Sequence, residues 1–173
     1  MGRYTAFRIF PAALPKYLCD GIVQDATGEA GHAAAGFWPA DHWLSGLLWH
    51  FAVLANTDLW RYNVSTSQGV QFATYETKGF YNWHKDELDE PWRGLARKLS
   101  VSANLSDPAD YEGGELLMKD TSGNTIQNRE LAAQLGQQGT VVVFPSYILH
   151  AVRPVTSGVR HSLVTWVLGP PFV

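Results

Sequence analysis

Residues 139–170 read GTVVVFPSYILHAVRPVTSGVRHSLVTWVLGP, and this stretch decides the architecture. Three β-rich runs, Thr140 to Phe144, Leu149 to Val152 and Arg160 to Leu168, are separated by the turn-forming pairs Pro145-Ser146 and Ser157-Gly158. Short apolar and β-branched runs punctuated by Pro, Ser and Gly mark antiparallel strands. The same texture extends back to about Leu59, through Gln71 to Tyr75, Phe80 to Trp83, Lys98 to Leu105 and Glu115 to Lys119. Turn chemistry falls between these runs at Ser106-Asp107-Pro108, Gly113-Gly114 and Ser122-Gly123-Asn124. Short strands spaced in this way predict a sandwich or jelly roll.

The first third differs. Leu14, Leu18, Ile22 and Val23 recur at helical spacing around Pro15, and the pattern ends near Gly28. A second helix is expected from Asp41, taken as its N-cap, with the stripe Leu44, Leu47, Leu48, Phe51, Leu54 and Ala55, stopping around Asn56. One apolar stripe per helix implies that these helices cover a sheet. The division expected is a single domain over 1–173, with 1–58 as helical cover and 59–173 as a β core. Its fold class is α+β, mainly β.

Composition narrows the class. The chain is 46% hydrophobic and 13% aromatic, which supports a packed core and argues against disorder. A net charge of −3 gives no broad surface for nucleic acid or anionic membrane. Cys19 stands alone, so an internal disulfide framework is excluded and a reducing cytoplasm is expected. The start, MGRYTAFRIFPAALPKY, lacks the apolar run of a secretory signal. No stretch approaches the roughly 20 apolar residues that cross a bilayer.

The candidate chemistry lies in four residues. His84 and Asp86 are two apart, so both leave one face of an extended segment. With His150 from a later strand they complete a two-His, one-carboxylate set, the facial arrangement of non-haem Fe(II) oxygenases. Ligand type alone also admits Zn²⁺ or Mn²⁺. Strand alternation places Arg160, Ser162, Val164 and Trp166 on one face. A cation among apolar neighbours needs an anionic partner, either a dicarboxylate co-substrate or a protein carboxylate.

Three segments, YETKGFYNWHKD, RKLSVSANLSDPADYEGGELLM and residues 139–170, resemble the Fe(II)/2-oxoglutarate-dependent dioxygenases. They resemble most the prolyl 4-hydroxylase-like group that includes PKHD-type hydroxylases. Residues 1–60 match only in being helical cover. The resemblance implies a double-stranded β-helix, or jelly roll, with the N-terminal helices packed outside one sheet. It implies Fe(II) on His84, Asp86 and His150, with O₂ and 2-oxoglutarate as co-substrates and ascorbate as reductant. Arg160 would hold the distal carboxylate of 2-oxoglutarate, beside Ser162 and Tyr75. Trp166, Arg97, Tyr81 and Trp92 would face the substrate, Trp92 as part of a lid in the charged segment KDELDEPWRGLARK.

Two positions depart from the pattern. Asn104 stands where several members carry a Tyr that contacts 2-oxoglutarate, and its amide keeps that contact open. His161 replaces a common aromatic, and its parity turns it away from Arg160. The activity implied is hydroxylation of an unactivated C–H, first of a peptidyl prolyl residue in a peptide or protein substrate, with release of succinate and CO₂. A free amino acid or other small molecule is the alternative substrate. A catalytically silent metal- or ligand-binding jelly roll is the alternative class. His32, His42 and His50 are expected to pack or face solvent, and Cys19 to fill a small apolar space.

Overall fold

A computed structural model of the chain describes residues 6–28, 36–126 and 128–172. Its strands, in chain order, are β1 (Arg8–Phe10), β2 (Phe37–Trp38), β3 (Thr66–Ser67), β4 (Val70–Tyr75), β5 (Tyr81–His84) and β6 (Ala96–Asn104). They continue with β7 (Tyr111–Gly113), β8 (Leu116–Met118), β9 (Val141–Pro145), β10 (His150–Val152), β11 (Val155–Gly158) and β12 (Arg160–Gly169). The α-helices are α1 (Lys16–Thr27), α2 (Trp43–Ala55) and α3 (Arg129–Gly136).

A seven-stranded sheet runs β1-β9-β6-β12-β4-β2, with β3 paired to the end of β12. A three-stranded sheet, β5-β10-β8, and a β11-β7 ribbon complete the β structure, and every pairing is antiparallel. This is the expected jelly roll.

The large sheet has two chemically different faces, and that difference positions the site. On the outer face Leu99, Val101, Ala103, Val141, Val143, Leu163 and Val167 form one core with Leu44, Leu48, Ala52 and Ala55 of α2 and with Cys19 and Ile22 of α1. Helix α2 lies across β6, β9 and β12. Leu48 is fully buried, which is worth roughly 2–3 kcal/mol from transfer alone. On the inner face Val142 and Phe144 join Met118, Leu135 and Ile148 in a smaller core. The alternate residues of β6 and β12 on that face, Ser100, Ser102, Arg160 and Ser162, are polar yet largely buried.

Two expectations need correction, and one helix lies where the sequence reading placed no element. The first 58 residues are not purely helical, because β1 pairs with β9 and β2 with β4. Segments of two or three residues are too short to show alternation, and the neighbouring strand holds them extended. The N-cap of α2 is His42 rather than Asp41, with Nδ1 accepting from the Leu44 amide at 3.4 Å. His42 also stacks on Trp38, which fixes its ring at the helix entrance. Finally, α3 carried no strong sequence signal. It is eight residues long, turns only Leu131 and Leu135 inward, and starts from the Asn128 side chain capping Glu130 and Leu131.

Candidate metal centre and active site

His84 ends β5, Asp86 follows with its amide donating to the Ser146 carbonyl, and His150 opens β10 directly opposite His84. Asp86 bridges the two imidazoles. One carboxylate oxygen lies 3.5 Å from His84 Nε2 and the other 3.4 Å from His150 Nε2. The ligand atoms all fall within 4.8 Å of one another. Two ligands about 2.1 Å from a shared cation and at a right angle stand roughly 3 Å apart, so this face is close to metal-binding size.

The tautomers suit the task. His84 Nδ1 meets the Asn82 carbonyl at 2.7 Å, and His150 Nδ1 meets the Ile148 carbonyl at 2.9 Å. A carbonyl only accepts, so each Nδ1 carries hydrogen, and each ring turns its Nε2 toward Asp86.

Charge follows the same logic. Burial pushes the Asp86 carboxyl pKa up, but the His84 hydrogen bond, the field of His150 and a bond from Ser100 outweigh it and hold it at about 2. The Trp166 indole N–H adds to this electrostatically without meeting full hydrogen-bond geometry. Burial lowers the His84 pKa, yet its bonds to Asp86 and Asn82 prevail and raise it. For His150 burial prevails and lowers it. The chain therefore offers an anionic oxygen and a neutral imidazole at ordinary pH. A bound cation takes the place of any proton on His84 Nε2.

The trio opens on a cavity of about 270 Å³ that also meets Tyr75, Tyr81, Arg97, Arg160, Ser162 and Trp166. Two register breaks gather these residues. Between Tyr81 and His84 the β5 chain takes three steps while β10 takes two from Val152 to His150. This bulge brings both Tyr81 and His84 to the cavity although their spacing is odd. On β6 the pairing jumps from Leu99 to Arg97 against consecutive residues of β12. Arg97 thereby joins Ser102 on the cavity side.

Arg160 is 4% exposed and sits across from Tyr75 in the ladder, its guanidinium 5.5 Å from that ring. Among the described residues no carboxylate pairs with it. A buried cation without a protein counter-charge, in the same cavity as a ligand trio, fits an anionic ligand. The donor set and this orphaned charge together fit Fe(II) with a dicarboxylate. Among the described residues no other group of three or more such side chains could hold a metal.

Residues 70–168 match the model of the 2OG-Fe(II) oxygenase superfamily. The chain belongs to that superfamily. A PKHD-type hydroxylase of Idiomarina loihiensis is 38% identical over 98 residues, 57% of this chain and 41% of that protein. The match thus spans about two fifths of that relative's length. PKHD-type hydroxylase YbiX of Escherichia coli is 40% identical over 100 residues, covering 56% of this chain and 41% of the relative. The fold is shared with a viral collagen prolyl hydroxylase from Paramecium Bursaria Chlorella virus-1 solved as a 2OG complex. That pair has a TM-score of 0.67 at 19% identity and covers 96% of this chain and 97% of the other.

Within this cavity, Arg97 is held on three sides. Its Nε donates to Gln68 Oε1 at 2.8 Å, Nη1 donates to the Asp86 carbonyl at 3.2 Å, and the guanidinium lies 3.8 Å from the Trp166 ring centre. Asn104 departs from expectation. Its Nδ2 donates to the Ser106 and Gly136 carbonyls, and the residue is not part of the cavity wall. One local carbonyl and one at the end of α3 claim the amide. Trp92 is also absent from the wall. It is 40% exposed, bridges backbone to backbone with Leu95 and lies under Arg93. Trp83 faces outward beneath Lys119.

His161 stacks on Phe72 and reaches Thr74, away from the cavity, as its parity predicted. Cys19 is buried on α1, its thiol pushed up to about 11 chiefly by burial. His32 lies outside the described residues. Sequence reasoning missed Gln68, for which the sequence carries no signal. It also missed Ser102, which strand alternation with Ser100 could have found.

Proposed function

We propose that the chain is an Fe(II)- and 2-oxoglutarate-dependent hydroxylase acting on a peptidyl prolyl residue. The observation that carries this reading is the pairing, within one cavity, of a His-Asp-His ligand face with a buried Arg160 lacking any protein counter-charge among the described residues. When bound, Fe(II) with 2-oxoglutarate and O₂ supplies the oxidising power, releasing succinate and CO₂. His84 and His150 would present their Nε2 atoms, oriented by the Asn82 and Ile148 carbonyls, and Asp86 a fixed anionic oxygen.

Arg160 holds the distal carboxylate of 2-oxoglutarate, with the Ser162 hydroxyl and the Tyr75 phenol beside it. Burial holds the Tyr75 phenol above its ordinary pKa, so it stays a neutral donor. Trp166 and Tyr81 bound the substrate side, and Arg97, clamped between Gln68 and Trp166, offers donors to the substrate backbone. The kinship with PKHD-type hydroxylases at 38–40% identity supports hydroxylation as the outcome.

The test is a 2-oxoglutarate turnover screen with Fe(II) and ascorbate, offering prolyl peptides, lysyl peptides and free amino acids, scored as a gain of one oxygen by mass. Stimulated succinate formation with an oxidised prolyl peptide is expected. Turnover of free amino acids alone would replace the peptidyl reading, and ligand binding without any turnover would return the chain to a silent binding module.

A further inference from the structure

The three-stranded sheet ends at β5, which pairs with β10 on one side and, among the described residues, with no strand on the other. An open strand edge presents unpaired N–H and C=O groups and invites a further strand. This edge carries neither proline nor charge, and Tyr81 and Trp83 are 52% and 41% exposed along it, with Phe80 exposed just before it. The edge also runs straight to a metal ligand, because His84 is its last residue.

Directly opposed residues on neighbouring strands point to the same side, with Cβ atoms about 5 Å apart. The His84 side chain points into the cavity. A residue of an added strand lying opposite His84 would therefore send its side chain into that cavity, one strand spacing from the ligand trio. The bulge in β5 limits this to one register, since alternation fails between Tyr81 and His84.

Among the described residues the cavity wall carries no carboxylate apart from the buried Asp86. Lys85 and Arg97 line the mouth, and Lys119 lies over the outer face of Trp83. Glu87 stands 3.9 Å from Lys85, while Asp86 is buried in the ligand trio. On a chain of net charge −3, these cations favour acidic residues in whatever lies along the edge.

We propose that the free edge of β5 is the docking strand for an extended, acidic segment of the protein substrate, which adds to the three-stranded sheet and delivers the residue opposite His84 to the metal. This rests on the peptidyl hydroxylase reading above. Main-chain pairing supplies affinity, and the cavity selects one side chain. Proline suits the delivered position where its missing N–H would face away from β5.

The test is a backbone N-methyl scan of a capped nonapeptide with central proline, Thr and Val as neighbours and Glu at the outer positions. Strand addition expects alternation: methylation at every second residue lowers kcat/KM by roughly fivefold or more, while the residues between tolerate it. Replacing Glu by Gln should lower kcat/KM several-fold and flatten its salt dependence. Uniform sensitivity, or sensitivity confined to the proline's neighbours, overturns edge docking while leaving peptidyl hydroxylation intact. If no peptide is turned over and a free amino acid is, both readings fall, and the turnover screen identifies that case before the scan begins.

Discussion

Replacing Arg160 by Met separates a ligand anchor from a structural ion pair. The guanidinium is 4% exposed, and among the described residues no carboxylate pairs with it. If it anchored a protein carboxylate, breaking the buried pair would cost about 3–5 kcal/mol of stability. With no such partner, an apolar side chain of similar length should leave the ligand-free fold unchanged or slightly more stable. The ligand feels the opposite effect. A charge-assisted bond to a buried carboxylate is worth about 1.5–3 kcal/mol, so its loss should raise the Kd for 2-oxoglutarate by roughly 10- to 150-fold. Anaerobic calorimetric titration with Mn(II) in place of Fe(II), beside urea melts of the metal-free protein, reads both quantities. A Kd changed less than threefold, or a clear loss of stability in Arg160→Met, would mean that Arg160 is a structural cation and not the ligand's anchor.

Other outcomes follow from the same contacts. Gln68→Leu removes the acceptor on Arg97 Nε, so the peptide KM should rise about fivefold while the 2-oxoglutarate KM holds, and Gln68→Glu should restore it. Asp86 is held at about 2 in the metal-free fold against 3.8 ordinarily. A depressed carboxylate pKa stabilises above the unfolded value, so about 2 kcal/mol of stability should be present above pH 4 and fade as pH falls toward 2. Urea midpoints in EDTA should show this slope, and Asp86→Asn should flatten it. Gly139 has φ +79 and lies against the Leu14 carbonyl, so Gly139→Ala should cost about 2 kcal/mol or more in thermal melts. His161→Phe keeps the stack on Phe72 and should leave the 2-oxoglutarate Kd unchanged.

Much of this architecture is legible because the large sheet alternates so cleanly. Arg160, Ser162, Val164 and Trp166 share the cavity face of β12, while Leu163 and Val167 enter the helix-side core. The strand spacing of His84 and Asp86 likewise brings both to one point. What escaped the sequence depends on partners. β1, β2 and β3 are too short to carry a period, and their neighbours hold them in place. The bulges that turn Tyr81 and Arg97 inward arise from pairing register, which no single strand encodes. Asn104 shares its strand face with Ser102, yet its amide is taken by Ser106 and Gly136, a competition visible only once α3 packs nearby.

Anaerobic visible absorption shows whether His84, Asp86 and His150 hold Fe(II) in a form that chelates 2-oxoglutarate. Adding 2-oxoglutarate to the Fe(II)-loaded protein should produce a weak charge-transfer band, which Asp86→Ala and His150→Ala should lose. A wild-type protein without the band, or variants that keep it undiminished, would mean that these three side chains do not hold the iron.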